Sequence, residues 1–285
     1  MRRRGLAMML AGLMLAGLMA WHAPAARAQA VRVAGSTTVR PFAQAAAEAY
    51  RRAHPGAMVL VTGGGSGEGL RRLLAGEADV AMASRPVTQA ERKKLAALGA
   101  TRRVVGLDGL AVVVSDEVFH AGVHALSRAQ IQDIWRGRVT NWKQLGGPDR
   151  RILTVGRIAG SGTWGVFTHW LWGDGEHARP MVVMESNRYT RNLLAASDQA
   201  IGYLPLGWTN EHVHALALAT QDGVIHPTAE SIRAGRWPMA RKLVLWVRPD
   251  ASAAARDFVD FMASEAARPL LEQAGYLPLK TPSSP

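Results

Sequence analysis

Three short turns place glycine beside hydroxyl residues: Gly35-Ser36-Thr37-Thr38, Gly63-Gly64-Gly65-Ser66-Gly67 and Gly160-Ser161-Gly162-Thr163. Each runs straight into a helical pattern. A helix start carries unpartnered N–H groups and a partial positive charge, so it attracts an oxyanion; glycine permits close backbone approach and Ser/Thr add donors. Arg157 stands just before the third turn, and Arg85 follows the Ala83-Ser84 step. The chemistry expected of such a set is the wrapping of a small anion. Any single Ser or Thr here can also act as an ordinary helix N-cap, which is worth ~1 kcal/mol.

The elements that must position these turns are readable from periodicity. A strand is expected over 31–34, a helix over 41–54, a strand over 57–62, a helix over 68–75 and a strand over 79–83. This β-α alternation predicts an α/β sheet covered by helices, with ligands bound beyond the carboxyl ends of the strands. Apolar segments at 110–115 and 243–247 read as one strand leaving this unit and one returning. Between them fall a helix over 128–136, a strand over 152–155, helices over 163–172 and 192–197, and a strand and turn over 200–206. The chain should therefore cross twice between two lobes, near 108–115 and 240–247, with a ligand cleft between hinged halves. A helical segment over 252–274, kinked or broken at Pro269, should pack back on the first lobe.

The N-terminus supplies a location. Arg2, Arg3 and Arg4 precede an apolar stretch over 6–20, and Ala26-Arg27-Ala28 follows as a small-x-small cleavage site; this is the layout of a secretory signal peptide over 1–28. The apolar stretch is shorter than the ~20 residues of a membrane span. No cysteine occurs in the chain, so neither a lipid-anchored cleavage site nor disulfides nor thiolate metal sites are encoded. The full chain carries a formal charge of +12; removing the leader with its four arginines leaves thirty basic and twenty-two acidic residues, near +8. The basic residues are scattered in pairs such as Arg71-Arg72 and Arg241-Lys242, without a basic block interleaved with aromatics. This argues against nucleic acid and for a field that concentrates a small anion. The segment 281–285, rich in Pro and Ser, reads as a disordered tail.

With those residues in view, the chain resembles the phosphate-binding proteins of bacterial ABC importers, the PstS-like periplasmic solute-binding family. The likeness spans almost the whole length after the leader. It rests on Val33-Ala34-Gly35-Ser36-Thr37-Thr38-Val39-Arg40-Pro41, the glycine-rich run at 63–69, and Ala78-Asp79-Val80-Ala81-Met82-Ala83-Ser84-Arg85. It continues through Ile134-Trp135-Arg136-Gly137-Arg138-Val139-Thr140-Asn141-Trp142, Gly156-Arg157 with Gly160-Ser161-Gly162-Thr163, Ala200-Ile201-Gly202-Tyr203 and Ala274-Gly275-Tyr276-Leu277-Pro278-Leu279. The resemblance implies a type II periplasmic binding protein fold. Lobe 1 would comprise 29–110 plus 246–280 and lobe 2 would comprise 111–245. It implies a monomer that binds inorganic phosphate or a similar oxyanion and delivers it to permease subunits in the inner membrane. Carried over by position, Ser36, Thr37 and Thr38 donate from the first turn. Ser66 with the Gly65 and Gly67 amides donates from the second, and Ser84 and Arg85 follow. Arg157, Ser161, Gly162 and Thr163 act from the facing lobe, the planar arginine fork suiting two oxygens at once.

Two positions depart from the family pattern. Arg85 stands where some members carry an Asp that accepts the proton of hydrogen phosphate, and Ile158-Ala159 stand where an acid often holds the arginine. The pocket should then be more positive, or Arg157 finds another carboxylate. Glu68 and Asp108 are the remaining carboxylate candidates near the ligand, while Asp79 reads as structural. Trp164 reads as a packing residue, as do Phe167, Trp170, Leu171 and Trp172 at helical spacing. The pairs His212/His214 and His120/His124 read as surface or loop histidines, with neither metal nor cofactor expected. No Gly-x-Ser-x-Gly elbow and no phosphate-binding loop ending in Gly-Lys-Ser/Thr occurs, which argues against an enzyme. A binding module for sulfate, molybdate or tungstate, or a phosphate-sensing or adhesion module uncoupled from transport, stays open as the alternative.

Overall fold

The computed structural model describes residues 30–173 and 178–279. The expected leader over 1–28 and tail over 281–285 lie outside the described residues. The first unit begins with β1 (Val31–Gly35), α1 (Arg40–Ala53), β2 (Val59–Gly64), α2 (Ser66–Leu74) and β3 (Val80–Ala83), the expected alternation. In α1, Phe42, Ala43, Ala46, Ala47 and Tyr50 are buried, the stripe of an amphipathic helix laid on a sheet. Pro41 sits in its first turn, where a missing N–H costs nothing. β1 pairs with β2 and β3 in parallel. At the end of β1 the backbone of α2 comes so close that a Cβ on Gly69 would lie 2.5 Å from the Cα of Gly35. Two glycines therefore let the second helix rest directly on the first strand, which aims its N-terminus at the end of the sheet.

Next come α3 (Gln89–Leu98), closed by a Thr88/Glu91 capping box, and β4 (Thr101–Ser115). β4 starts well before the expected strand at 110 because its first, largely exposed residues already pair with the returning strand. It is the crossing strand. Thr101–Gly109 pairs with β12 (Ala240–Val247) and Leu110–Val114 pairs with β8 (Ala200–Pro205), both antiparallel. The complete sheet runs β2-β1-β3-β12-β4-β8-β6-β7, where β6 is Leu153–Arg157 and β7 is Val182–Met184; β9 (Val213–Ala215) adds to β4. A smaller sheet joins β5 (Ala125–Ser127), β10 (Ala217–Thr220) and β11 (Gly223–Ile225).

Two cores flank the crossing. One gathers Val33, Phe42, Tyr50, Met82, Leu243, Leu245 and Phe258, the other Leu110–Val114, Trp135, Trp142, Phe167, Ile201 and Trp237. Leu243 and Leu245 pack in the first core, ahead of the expected boundary at 245/246. Met239 closes the second core. The crossing is pinned by Trp237, whose Nε1 donates to the Leu110 carbonyl at 2.8 Å, and by Leu110 N–H to Met239 O at 3.1 Å.

The second half adds α4 (Asp116–His120), α5 (Arg128–Trp135), α6 (Gly162–Trp172), α7 (Asn187–Ala195) and α8 (Ala229–Arg233). α7 begins five residues before the expected helix at 192, started by the Ser186 cap on the Tyr189 amide. In α6, Phe167 and Leu171 enter the core while Trp170 and Trp172 pack partly buried against it. The C-terminal segment is broken rather than kinked: α9 (Ala253–Met262), a 3-10 turn (Glu265–Ala267) and α10 (Arg268–Gln273). Pro269 lies in the first turn of α10, so the break precedes the proline. α9 and α10 pack on α1, with Phe258 edge-on to Tyr50 at 5.4 Å.

Candidate functional site

The ends of β1, β2 and β6 carry the three turns to one place between the two cores, and the end of β3 adds Ser84. Ser36 Oγ accepts from the Thr38 and Val39 amides, ordering the turn before α1, and donates to Ser84 Oγ at 2.8 Å. The Ser84 amide donates to Ser66 Oγ at 3.1 Å. Ser36, Thr38, Ser66, Ser84, Ser161 and Thr163 are all buried. Buried hydroxyls are kept where they have polar work to do, because an unmatched one costs ~1–3 kcal/mol.

The third turn meets these from the other side. The Gly67 amide donates to the Gly160 carbonyl at 3.0 Å, Thr38 Oγ1 and Thr163 Oγ1 stand 3.3 Å apart, and a Cβ on Gly162 would come within 2.3 Å of Ser84 Oγ. Glycine at 162 is thus required for the start of α6 to close on the two serines. Gly65, with φ 98°, precedes α2 as its cap without any side-chain acceptor, leaving that helix start to whatever it faces.

Arg157 leaves the end of β6 and is buried. Its Nε donates to Met184 O at 3.1 Å and its Nη2 to Glu185 O at 2.9 Å and Thr37 Oγ1 at 3.2 Å; Nη1 meets Asn187 Oδ1. Among the described residues none of these partners is a carboxylate. Neither Ile158 nor Ala159 supplies an acid, and the groups that meet Arg157 are carbonyl, amide and hydroxyl oxygens. Burial pushes the guanidinium down to about 10, the nearby Arg241 charge adding to the effect. Tyr203 fixes the backbone here, its hydroxyl accepting from the Arg157 amide at 3.0 Å, and Tyr276 donates to the Thr38 carbonyl at 2.5 Å. Two tyrosines of the C-terminal half thereby position the turns that hold the candidate donors.

Two further residues join that sequence reading did not place. Asn187, at the start of α7, donates from Nδ2 to Thr38 Oγ1 at 3.1 Å. Arg241, at the start of β12, reaches Thr38 Oγ1 at 3.2 Å and Thr163 Oγ1 at 3.3 Å. It is paired with Asp108 at 2.7 Å, with both side chains almost wholly buried. Burial pushes the Asp108 carboxyl up, opposed by the Arg241 charge. The signal for Asn187 was a Ser-Asn helix start after a short strand; that for Arg241 was an Arg-Lys pair entering an otherwise apolar strand.

Three expectations are displaced. Arg85 is turned to Glu91, at 2.7 Å, and to the Pro86 carbonyl at 2.9 Å, rather than to the hydroxyl cluster. Glu68 is engaged by Arg71 and Arg72 on the outer face of α2 and brings no carboxylate to the site. Asp108 reaches the cluster only through Arg241. Asp79 is structural, as expected, holding the Arg32 amide at 2.8 Å and its guanidinium at 2.7 Å. Asp116 lies beside His120 and His214, one ligand atom of each within 4.8 Å of the others.

An open sheet crossed by two strands between two cores, with helix starts converging on buried arginine and hydroxyls, defines a solute-binding protein of the periplasmic type. The family described as "PBP superfamily domain" matches residues 22–266, and the chain belongs to it. Within it, the chain belongs with the phosphate-binding proteins named PstS: it is 30% identical over 249 residues to that of Bacillus subtilis strain 168, covering 87% of this chain and 80% of the relative. The PstS of Borreliella burgdorferi is 25% identical, with 88% and 90% covered. A solved structure from Clostridium perfringens, described as a phosphate ABC transporter substrate-binding protein with bound phosphate, superposes with a TM-score of 0.80. It is 26% identical, with 88% of this chain and 100% of that one covered. An ABC-type phosphate transport receptor from Vibrio cholerae gives a TM-score of 0.68 at 31% identity, with 86% and 98% covered.

Proposed function

We propose that this chain captures inorganic phosphate between two lobes, residues 30–109 with 240–279 and residues 110–239, and hands it to the permease of an ABC importer. The observation that carries this reading is Arg157: a buried guanidinium with no carboxylate partner, set among hydroxyls and helix starts from both halves. An unbalanced buried cation is costly unless an anion balances it, and donors from opposite lobes make closure and binding one event. The ligand shell is drawn from Ser36, Thr37, Thr38, Gly65, Ser66, Gly67, Ser84, Arg157, Ser161, Gly162 and Thr163. Arg241 and Asn187 join it, while Arg85 is held at the rim by Glu91. Binding rather than bond-breaking is supported by the phosphate-binding relatives and by the described residues, among which no nucleophile–base pair adjoins the cluster. Export by the leader, with release after Ala26-Arg27-Ala28, would place it as a monomer in the periplasm. No described helix is long and apolar enough to cross a membrane.

A second reading, a broader oxyanion binder, is favoured by one observation: among the described residues, the hydroxyl cluster has no carboxylate hydrogen-bonded to it that could accept a proton from hydrogen phosphate. Calorimetry with phosphate, arsenate, sulfate, molybdate and tungstate at pH 5 and pH 8 tests both. The expected result is phosphate and arsenate binding that weakens below roughly pH 6, where a phosphate group gains a proton, with sulfate rejected less strictly than by a site bearing an acid. Heat from molybdate or tungstate alone would overturn the phosphate reading.

A further inference from the structure

The geometry points to a divalent transition-metal site, of the Zn²⁺ class, on the outer face of the second core, formed by Asp116, His120 and His214. Four of the nine histidines of the chain, His120, His124, His212 and His214, fall within two short stretches of sequence. The fold brings these stretches together, because β9 lies against the end of β4 with His214 opposite Val114. α4 begins directly after that strand end. Asp116 and His120 are one turn apart on α4, so both leave the same face. His214 projects from the adjacent strand to meet them.

The distances suit one ion. His214 Nε2 lies 2.6 Å and His120 Nδ1 3.1 Å from Asp116 Oδ1, and one ligand atom from each residue lies within 4.8 Å of the other two. In a tetrahedral Zn²⁺ site with bonds near 2.0–2.1 Å, neighbouring ligand atoms stand about 3.4 Å apart. For a metal to enter, the hydrogen-bonded His214–Asp116 contact opens by about 0.8 Å and the His120–Asp116 one by about 0.3 Å, with His120 Nδ1 turning from the Asp116 main-chain carbonyl 3.1 Å away. His214 is oriented for this: its ring stacks on Phe119 with centroids 4.3 Å apart and planes at 12°, and His120 stands edge-on to it at 5.4 Å. The His214 side chain is mostly covered, whereas Asp116 and His120 remain open to solvent on one side. That leaves the fourth position to water. Two imidazoles and one carboxylate are a borderline donor set, which suits Zn²⁺, Ni²⁺ or Cu²⁺ and disfavours Mg²⁺ and Ca²⁺.

The test uses the untagged full chain, stripped with EDTA and kept in phosphate-free buffer, titrated with ZnCl₂ by calorimetry and with CoCl₂ by visible absorption. One Zn²⁺ per chain and a tetrahedral Co²⁺ band are expected. His214→Ala and Asp116→Asn should each weaken Zn²⁺ binding at least about tenfold, with circular dichroism and phosphate binding unchanged. His54→Ala, in the first lobe, should match the parent. Absence of stoichiometric Zn²⁺ binding, or parent-like affinity in both site variants, would overturn the assignment.

Discussion

Asp108 and Arg241 form a 2.7 Å ion pair with side chains 0% and 1% exposed, and Arg241 also donates from Nη2 to Thr38 and from Nη1 to Thr163. One carboxylate thereby orients a cation that touches a hydroxyl from each side of the cleft. Among the described residues its other oxygen, Oδ1, has no side-chain partner, so the Asp108 carboxylate is spent on Arg241. A buried pair of this kind is strongly felt only when one member is removed.

Asp108→Ala should therefore cost about 3–5 kcal/mol in urea unfolding, by leaving Arg241 charged and unmatched. The double variant Asp108→Ala/Arg241→Met should recover part of that loss. Parent-like stability in Asp108→Ala would show that Arg241 finds another counter-charge. Equal loss in single and double variants would point to packing instead.

Arg157→Ala should weaken phosphate binding by about 2–5 kcal/mol, the range for truncating one partner of a buried charged contact. Ser36→Ala and Thr163→Ala should cost less, about 0.5–3 kcal/mol each. Lys93→Ala, on an exposed face of α3, should bind as the parent does at moderate salt. Isothermal calorimetry ranks the four proteins. An Arg157→Ala variant of unchanged affinity would remove this arginine from the site.

Gly162→Ala places a methyl 2.3 Å from Ser84 Oγ and 2.5 Å from Ser66 Oγ, both hydroxyls being held by other bonds. The start of α6 can then no longer seat against the first lobe. Affinity for phosphate should fall by about 1–3 kcal/mol, the usual cost of overpacking. Small-angle scattering with saturating phosphate should report a more extended particle than the parent. Identical scattering and affinity would mean that the lobes meet less closely in solution.

The Arg85–Glu91 pair governs an acid limb of stability. Burial alone would push the Glu91 carboxyl up, but the Arg85 guanidinium and the Thr88 amide outweigh it and hold the group below its usual value of 4.5. A depressed acid stabilises the fold above that value, and this contribution disappears as pH falls through the lowered one. Glu91→Gln should thus cost about 1 kcal/mol at pH 7 and progressively less toward pH 3, followed by urea unfolding at each pH. A difference that is constant with pH would assign the effect to the helix cap rather than to charge.

Much of this protein was legible in its sequence because the signals are local. The Gly-Ser-Thr turns fall at strand ends, the apolar stripe of α1 repeats at helical spacing, and Val80–Ala83 and Leu110–Val114 are continuous apolar runs that only a buried strand can use. Tertiary structure decided what depends on partners far along the chain. Arg85, beside the site in sequence, is drawn away by Glu91. Arg241, over 200 residues from Thr38, is brought onto it by the antiparallel pairing of β12 with β4. Asn187 enters because α7 starts early at Ser186, and Asp116, His120 and His214 meet because β9 joins the end of β4. Local periodicity encodes elements through nearest-neighbour sterics and burial. Charge pairing and side-chain convergence are set by strand register and crossing, which no local stretch contains.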